Sequence, residues 1–290
     1  KNKFNVIHIL TVGSFSTIIV LFLDKFNRKN RPKIIISDHT TADTNKRNGR
    51  YAKMYYFLFK IMFKIMGKRV SKIVSFDTES IDLLSKRFGI DKKRFKIIPL
   101  GFDQENFFNF PEKRNVSPLL IIGFAGILDL KKRIDVLFES VAASKNKSNI
   151  KIIIGGFKEN DNYCNFLAQT SKKLNLNVEF RPFFDKKGLA NFYQYINLAV
   201  FPGSISITTI EANGCGTPII LFESIKGLKS RVENGRGLLF DDIHELTKLI
   251  DYYFNLHRLN LINYKDISFV TAQTSSWSKI SDDYRLLYQK

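Results

Sequence analysis

The chain has 290 residues, 44% of them hydrophobic, and a formal net charge of +19 at pH 7. This length suits one large or two ordinary α/β domains, and the charge favours an anionic partner such as a membrane surface, nucleic acid or a phosphorylated substrate. Cys164 and Cys215 form no Cys-x-x-Cys pair, so the sequence predicts neither a zinc site nor a disulfide framework. We expect a reducing compartment. The apolar run 15–23 is too short to cross a membrane, and we predict a buried helix there.

The first third of the chain alternates short apolar runs with helical patterns, which predicts a parallel sheet with crossover helices. Strands are expected at 4–10, 34–36, 72–76 and 95–98. The chain enters a strand almost at once and begins with Lys1 rather than Met. We therefore expect that an N-terminal part of the first domain is absent.

A basic and aromatic helix is predicted within residues 46–72, which hold nine basic residues and no acid. The basic side chains that could face a membrane are Lys53, Lys60, Lys64, Lys68 and Arg69. The four lysines recur at helical spacing opposite a broad apolar face, which is typical of an interfacial helix on an anionic membrane. A helix that packs its apolar side on its own sheet, with solvated lysines, fits the pattern equally.

The polar segment 111–118 breaks the apolar pattern and predicts an interdomain linker. We place the first domain at 1–112, a second at 113–268, and a terminal helix at 269–290 that packs back on the first domain. Strands of the second domain are expected at 119–126, 151–156, 177–180, 198–201 and 219–222. Helical patterns lie at 134–143, 187–195 and 243–256.

The most informative stretch is 197–222. A buried strand is followed by Pro202 and Gly203, a loop of small polar residues, a helix that opens near Glu211, and a second strand. Such a loop lies at the carboxyl end of a strand, where free N–H groups can bind phosphate. Glu211 could accept two hydrogen bonds from a ribose diol.

This stretch resembles the donor-site signature of the retaining glycosyltransferases of family 4 (group 1): a Pro, a small-residue loop, then Glu-Ala-x-x-x-Gly-Thr-Pro before a β-branched strand. Other segments resemble the family in the same order, including 6–9 ("DVIHIH"), 97–107 ("vipNGvD…F") and 276–288 ("fsW…ia..y..ly"). The resemblance implies an α/β GT-B fold, in which two Rossmann-like domains with parallel sheets face each other across a cleft. The first domain would be incomplete here.

The resemblance also implies roles for individual residues. Lys132 falls on a family lysine that binds the donor diphosphate, and Ile127 stands where the family has Arg, for which a flanking cation could substitute. His39 would face the sugar and the acceptor, although a strand-end histidine with a structural role is the alternative. The donor-binding candidates are Gly126, Lys131, Lys132, Arg133, Ser204, Ile205, Ser206, Thr208 and Glu211. The acceptor-side candidates are His39, Thr40 and Lys46. The catalytic candidates are His39 and Lys132. Gly203 occupies the place of a second family Glu, in a loop about three residues shorter than the common form.

The expected function is that of a retaining glycosyltransferase of the hexosyltransferase type (EC 2.4). It would move a sugar from a nucleotide sugar to a lipid-linked or saccharide acceptor in envelope polysaccharide or glycolipid synthesis, at the cytoplasmic face of the membrane, without cofactor or metal. We expect low activity from a chain that lacks half its acceptor domain.

The alternative is a catalytically impaired GT-B protein that binds nucleotide sugar or membrane without turnover, as the departures at Ile127 and Gly203 suggest. A nucleic-acid-binding protein fits the charge, but no recognised module is present.

Overall fold

The structure is a computed structural model that describes residues 4–26, 31–38, 49–108, 114, 117–223 and 229–289. The chain divides into two compact units, Lys1–Leu100 with Ile280–Lys290, and Gly101–Lys279. Each unit is built on a parallel sheet flanked by helices. The predicted α/β class with parallel sheets is confirmed.

The first unit has a four-stranded parallel sheet in the order β1-β2-β3-β4. Its strands are β1 (Val6–Leu10), β2 (Lys33–Ser37), β3 (Val70–Ser75) and β4 (Phe95–Ile97). Its first three helices are α1 (Phe15–Phe26), α2 (Arg50–Met66) and α3 (Thr78–Phe88). Asp77 starts α3 by accepting from the Ser80 N–H at 2.7 Å, and Gly89 ends it at a φ of +65° that favours glycine.

The three central residues of β2, Ile34–Ile36, are all apolar because both faces of the sheet are covered. Successive side chains point to opposite faces: Ile34 and Ile36 pack with the α1, α2 and α3 side chains. Ile35 packs on the other face with Val74 and Ile280. The two apolar clusters hold the sheet between them.

Helix α1 differs from its prediction. Only Thr17, Leu21 and Asp24 of this helix are buried. Its large exposed side chains are Phe15, Ile19, Phe22, Leu23 and Phe26. The prediction of a buried helix was wrong for this face, because a nearly all-apolar helix carries no polar stripe to mark its solvent side. Asp24 turns inward and pairs with Arg69, with 3.0 Å between Oδ2 and Nε.

The second unit has a six-stranded parallel sheet in the order β10-β9-β8-β5-β6-β7. Its strands are β5 (Leu120–Ala125), β6 (Ile150–Gly155), β7 (Val178–Arg181), β8 (Leu198–Phe201), β9 (Ile219–Phe222) and β10 (Gly237–Phe240). The helices that follow α3 are α4 (Ile134–Ala143), α5 (Asn162–Lys173), α6 (Lys186–Tyr195), α7 (Thr208–Gly214), α8 (Lys229–Val232), α9 (Ile243–Arg258), α10 (Tyr264–Ser275) and α11 (Trp277–Gln289). Helix α11 starts in the second unit and continues into the first.

Aspartate side chains start three of these helices. Asp161 accepts from the first-turn N–H groups of α5, Asp185 from those of α6, and Asp242 from those of α9. Each carboxylate satisfies a backbone donor that has no partner inside its helix, and its charge suits the positive end of the helix dipole. The loops before these helices are thereby fixed.

The compact units change at Leu100/Gly101 and at Lys279/Ile280, whereas the predicted limits were 112 and 268. The difference has a physical cause in the segment around Phe102. Its N–H donates to the Ser275 carbonyl at 2.9 Å, and its own carbonyl accepts from the Trp277 N–H at 3.1 Å. Its buried ring lies against Gly214 of α7. These contacts hold 101–108 and α10 in the second unit.

Arg114 is an internal cation of the second unit. Its guanidinium donates to the carbonyls of Tyr193 at 3.2 Å and Ile196 at 2.9 Å, and to the Thr217 hydroxyl at 2.9 Å. It also stacks over the Tyr264 ring, 4.1 Å from the centroid. Burial lowers the pKa of Arg114 to about 10. The side chain ties together the segments that precede β8 and β9.

Candidate functional site

The candidate site lies where the strand order of the second sheet reverses. From β5 the chain continues to β6 and β7 on one side, and from β8 to β9 and β10 on the other, so β5 and β8 are neighbours at the switch point. In open parallel sheets a crevice forms at the carboxyl ends of the strands at such a point. The two loops that leave it are the β5 loop (126–133) and the β8 loop (202–207).

The β5 loop and the β8 loop are bonded to each other. The Ser204 N–H donates to the Lys131 carbonyl at 2.8 Å, and the Lys132 Nζ donates to the Ser204 carbonyl at 2.8 Å. Gly203 makes this approach possible, because a Cβ at that position would lie 1.9 Å from the Lys131 carbonyl oxygen. The position at which the resemblance to family 4 implies a second Glu therefore has no room for any side chain.

The ammonium group of Lys132 is the cation at the centre of this contact. The side chain is half-buried, and loss of solvent lowers its pKa, an effect that Asp129 partly offsets. One of its three protons is used on the Ser204 carbonyl. The other two have no acceptor among the described residues and can serve a ligand, since an ammonium carries three donors.

The β8 loop presents a run of backbone donors. The N–H groups of Ile205, Ser206, Ile207 and Thr208 have no acceptor within the described parts of the chain. The hydroxyls of Ser206 and Thr208 bond to each other at 2.7 Å. Successive free N–H groups form a concavity that suits an anion.

Glu211 lies in the first turn of α7, which begins at Thr208, three residues earlier than predicted. Its carboxylate is half-buried and has no hydrogen-bond donor among the described residues. Burial raises its pKa, Lys186 opposes this rise and Asp103 adds to it. Because buried polar groups are nearly always hydrogen-bonded, this carboxylate is suited to accept hydrogen bonds from a ligand.

The remaining donor-side candidates lie around these groups in different roles. Lys131 is exposed. The guanidinium of Arg133 lies 4.7 Å from the centre of the Phe222 ring. Gly126 approaches Gly156 of the β6 turn, where a Cβ would meet the Gly126 carbonyl oxygen at 1.9 Å. Lys132 is thus the one cation of the three that bonds the β8 loop within the described residues.

Comparison with known families decides the assignment. Residues 105–266, more than half of the chain, match the family described as Glycosyl transferases group 1. The chain belongs to this family.

This group 1 glycosyl transferase is similar to two curated relatives. It is similar to D-inositol 3-phosphate glycosyltransferase of Rhodococcus opacus, 26% identical over 189 residues that cover 59% of this chain and 42% of the relative. It is also similar to mannosylfructose-phosphate synthase of Agrobacterium fabrum, 26% identical over 180 residues that cover 56% of this chain and 39% of the relative. The chain spans about two fifths of the length of these relatives.

Solved structures show the fold. HepE of Anabaena in complex with UDP is similar with a TM-score of 0.75 at 15% identity, over 98% of this chain and 78% of that chain. Sucrose-phosphate synthase from Thermosynechococcus elongatus gives a TM-score of 0.70 at 16% identity, over 98% of this chain and 73% of that chain. These likenesses confirm the GT-B class expected from the sequence.

Sequence reasoning missed the contacts of two basic residues of this group 1 glycosyl transferase. Arg231 of α8 donates from Nη1 to the Ser206 carbonyl at 3.3 Å and to the Thr209 hydroxyl at 2.5 Å. Lys186 of α6 donates to the Asp103 carboxylate and holds the pKa of that carboxyl low. The partners lie between 22 and 83 residues apart in the chain, so no local pattern connects them.

The acceptor side of the site remains a prediction. His39, Thr40 and Lys46 lie outside the residues that the structure describes. The described parts of the chain contain no group of three or more His, Cys, Asp or Glu that could hold a metal ion. The expectation that no metal or cofactor is used also stays a prediction.

The predicted interfacial helix corresponds to α2, which uses two faces. Phe59 and Phe63 are buried in the core of the first unit. Its exposed apolar side chains are Tyr51, Met54, Phe57, Leu58, Ile61 and Ile65. The exposed basic side chains beside them are Lys53, Lys60, Lys64 and Lys68, whereas the Arg69 guanidinium is engaged by Asp24. No helix in the described ranges is long and apolar enough to cross a membrane.

Proposed function

We propose that this protein is a retaining glycosyltransferase of the hexosyltransferase type. It moves a sugar from a nucleotide-sugar donor to a lipid-linked or saccharide acceptor in envelope polysaccharide or glycolipid synthesis. The observation that carries the proposal is the switch-point site. The half-buried ammonium of Lys132 lies on the β5 loop, which is bonded to the β8 loop. The N–H groups from Ile205 to Thr208 and the Glu211 carboxylate of α7 have no hydrogen-bond partner among the described residues. Membership of the group 1 family and the similarity to HepE, solved with UDP, support it.

The proposed chemistry follows from the charges of the site. Negative charge builds on the leaving diphosphate as the glycosidic bond breaks, and fixed donors aimed at that charge lower the barrier. Lys132 and the N–H groups of the β8 loop supply these donors. Glu211 accepts hydrogen bonds from the two ribose hydroxyls, and this position keeps its negative charge away from the phosphates.

Three further parts of the proposal rest on the resemblance to family 4. Retention of the anomeric configuration, a place for His39 beside the sugar and acceptor, and chemistry without metal or cofactor are carried over from that family. The product anomer, read from the proton coupling at the anomeric carbon, tests the first part. An inverted product would contradict it.

Transfer and binding with radiolabelled nucleotide sugars test the proposed function. We expect transfer, or slow hydrolysis, with at least one donor from a panel of UDP-, GDP- and ADP-sugars. Lys132→Ala should abolish it, and Lys145→Ala should not, because Lys145 is an exposed lysine beyond the end of α4. If no nucleotide sugar binds or reacts, the proposal is wrong.

A catalytically impaired GT-B protein is the second candidate, and two observations favour it. Ile127 brings no charge to the β5 loop and is 63% exposed, and Gly203 leaves no room for a carboxylate. This candidate predicts that UDP or a UDP-sugar binds with no turnover at any acceptor. Turnover that depends on Lys132 would exclude it.

We further propose that the first unit contacts an anionic membrane, at the cytoplasmic face. The exposed side chains of α1 and α2 form an apolar surface, in which α1 contributes Phe15 and Phe22, and α2 contributes Phe57 and Ile61. The two helices contact each other, and the Tyr55 hydroxyl donates to the Gly13 carbonyl. A group of large exposed apolar side chains favours an interaction site, and the exposed lysines of 53–68 match anionic headgroups.

Vesicle flotation tests this surface. We expect the protein to float with vesicles of phosphatidylglycerol and phosphatidylcholine, and not with phosphatidylcholine alone. Lys60→Gln with Lys64→Gln should weaken binding by about 2 kcal/mol, or roughly thirtyfold, at about 1 kcal/mol per lysine. Phe57→Glu should abolish flotation, and Leu286→Glu, at an exposed position on α11, should not. Equal binding to neutral vesicles would contradict the proposal.

A further inference from the structure

Among the described residues, Lys132 and Arg231 are two cations that contact the β8 loop, and they contact alternate peptide groups. Lys132 donates to the carbonyl of Ser204 at 2.8 Å. Arg231 donates to the carbonyl of Ser206 at 3.3 Å. The first cation comes from the β5 side of the loop and the second from α8, which precedes β10.

Each of these carbonyls shares a planar peptide group with an N–H that has no acceptor in the described chain. The Ser204 carbonyl belongs to the same peptide as the Ile205 N–H, and the Ser206 carbonyl to the same peptide as the Ile207 N–H. In a trans peptide the C=O and N–H bonds point in opposite directions. A cation that holds the oxygen therefore fixes the direction of the N–H on the opposite side.

The contact of Arg231 has a second, buried anchor. Its Nη1 also donates to the hydroxyl of Thr209 at 2.5 Å, and Thr209 is fully buried. That hydroxyl in turn donates to the Ser206 carbonyl at 3.1 Å. The Arg231 guanidinium thus donates to both the Ser206 carbonyl and the Thr209 hydroxyl. The Ser206 carbonyl accepts from the guanidinium and from the Thr209 hydroxyl. A charge at the carbonyl end also polarises the peptide and strengthens its N–H as a donor.

We propose that Arg231 is a positioning residue of the donor-diphosphate site. It orients the peptide between Ser206 and Ile207 so that the Ile207 N–H is presented to a phosphate oxygen, as Lys132 does for the Ile205 N–H. It also adds the second positive charge to a site in which Ile127 contributes none. This inference rests on the proposed function, and it names a residue outside the sequence pattern on which that function was expected.

Calorimetric titration of the 290-residue protein with UDP tests the inference. Arg231→Met should weaken UDP binding about ten- to hundredfold, the range that hydrogen bonds to charged groups span. Arg231→Lys keeps the charge and should restore most of the affinity. Lys229→Met is the matched control, because this exposed side chain lies on the same short helix and its loss should leave UDP binding unchanged.

Backbone amide shifts separate positioning from general loosening. On addition of UDP, the Ile205 and Ile207 amide signals should both move in the wild type. In Arg231→Met the Ile207 response should be lost while the Ile205 response, supported by Lys132, persists. A merely structural defect would lower the thermal midpoint and alter both signals.

The outcomes distinguish failure of the proposed function from failure of the role proposed for Arg231. If the wild type binds no UDP, GDP or ADP, the proposed function fails and this inference with it. If the wild type binds UDP and Arg231→Met binds it within twofold, with an unchanged Ile207 response, only the role of Arg231 is overturned. Failure of Arg231→Lys to restore binding would likewise overturn it.

Discussion

Gly203 gives the sharpest prediction, because the family pattern and the structure disagree about it. The resemblance to family 4 implies a glutamate at this position, so Gly203→Glu would be expected to complete the donor site. The structure predicts the opposite, since the first side-chain carbon would lie 1.9 Å from the Lys131 carbonyl oxygen. Real Cβ atoms essentially never approach closer than 3.0 Å, so the two loops would have to separate by more than about 1 Å.

The expected cost follows from the bonds that such a separation would break. The Ser204 N–H would lose the Lys131 carbonyl, at 2.8 Å in the structure, and Lys132 would lose the Ser204 carbonyl, also at 2.8 Å. A neutral hydrogen bond contributes about 1 kcal/mol and one to a charged group about 2 kcal/mol. Gly203→Ala should therefore lower the free energy of unfolding by about 3 kcal/mol, and UDP binding should fall at least tenfold because Lys132 is displaced.

Chemical denaturation and UDP calorimetry measure the two effects separately. Gly235→Ala is the control, because Gly235 has a φ of +77° and no atom lies within 4 Å of the position that a methyl group would take there. That substitution costs about 1 to 2 kcal/mol of backbone strain away from both loops and should leave UDP binding intact. If Gly203→Ala, or Gly203→Glu, unfolds and binds UDP like the wild type, the bonded-loop description is wrong.

Three other substitutions have defined outcomes. Glu211→Gln should weaken UDP binding and, at neutral pH, raise the free energy of unfolding, because burial raises the pKa of Glu211 and makes its ionised form costly. This gain in stability should vanish as the pH falls below the ordinary carboxyl pKa of 4.5. Equal stability of the variant and the wild type at neutral pH would contradict the prediction. Arg114→Met should lower the free energy of unfolding by about 3 kcal/mol or more in urea titrations, since buried acceptors lose their donor, and a loss below about 1 kcal/mol would be inconsistent with this. Burial lowers the pKa of Lys132 from 10.5, so the affinity for UDP should fall with rising pH at a lower pH than it would for a solvent-exposed lysine. Lys132→Gln should remove this pH dependence.

Much of the second unit could be predicted from the sequence because its strands are buried on both faces. The strands Leu198–Phe201 and Ile219–Phe222 and the helix Ile134–Ala143 begin and end where the apolar patterns predicted. Continuous apolar runs between glycine and proline residues leave little choice of boundary. The helix around Glu211 began earlier than expected because Thr208 and Thr209 have weak helix propensity and gave no signal.

The parts that could not be predicted depend on contacts between distant segments. Nothing near Gly203 in the sequence indicates that the carbonyl of Lys131 lies against it. Arg231 follows a polar stretch and matches no phosphate-binding pattern, yet it reaches the buried Thr209 hydroxyl. For α1, apolar periodicity predicted a helix correctly but could not choose its inward face, which the pairing of Asp24 decides.

The division of the chain has a consequence for the order of folding. The second unit is one continuous stretch, Gly101–Lys279, whereas the first combines Lys1–Leu100 with the terminal segment Ile280–Lys290. In that first unit His8 bonds the Tyr288 hydroxyl at 2.8 Å, and Leu287 packs beside Ile35. Residues so far apart in sequence meet only after the segment that holds Leu287 and Tyr288 has left the ribosome. The second unit can therefore reach its native state first, whereas one face of the sheet in the first unit stays open until the segment that carries Ile280 and Leu287 has been made.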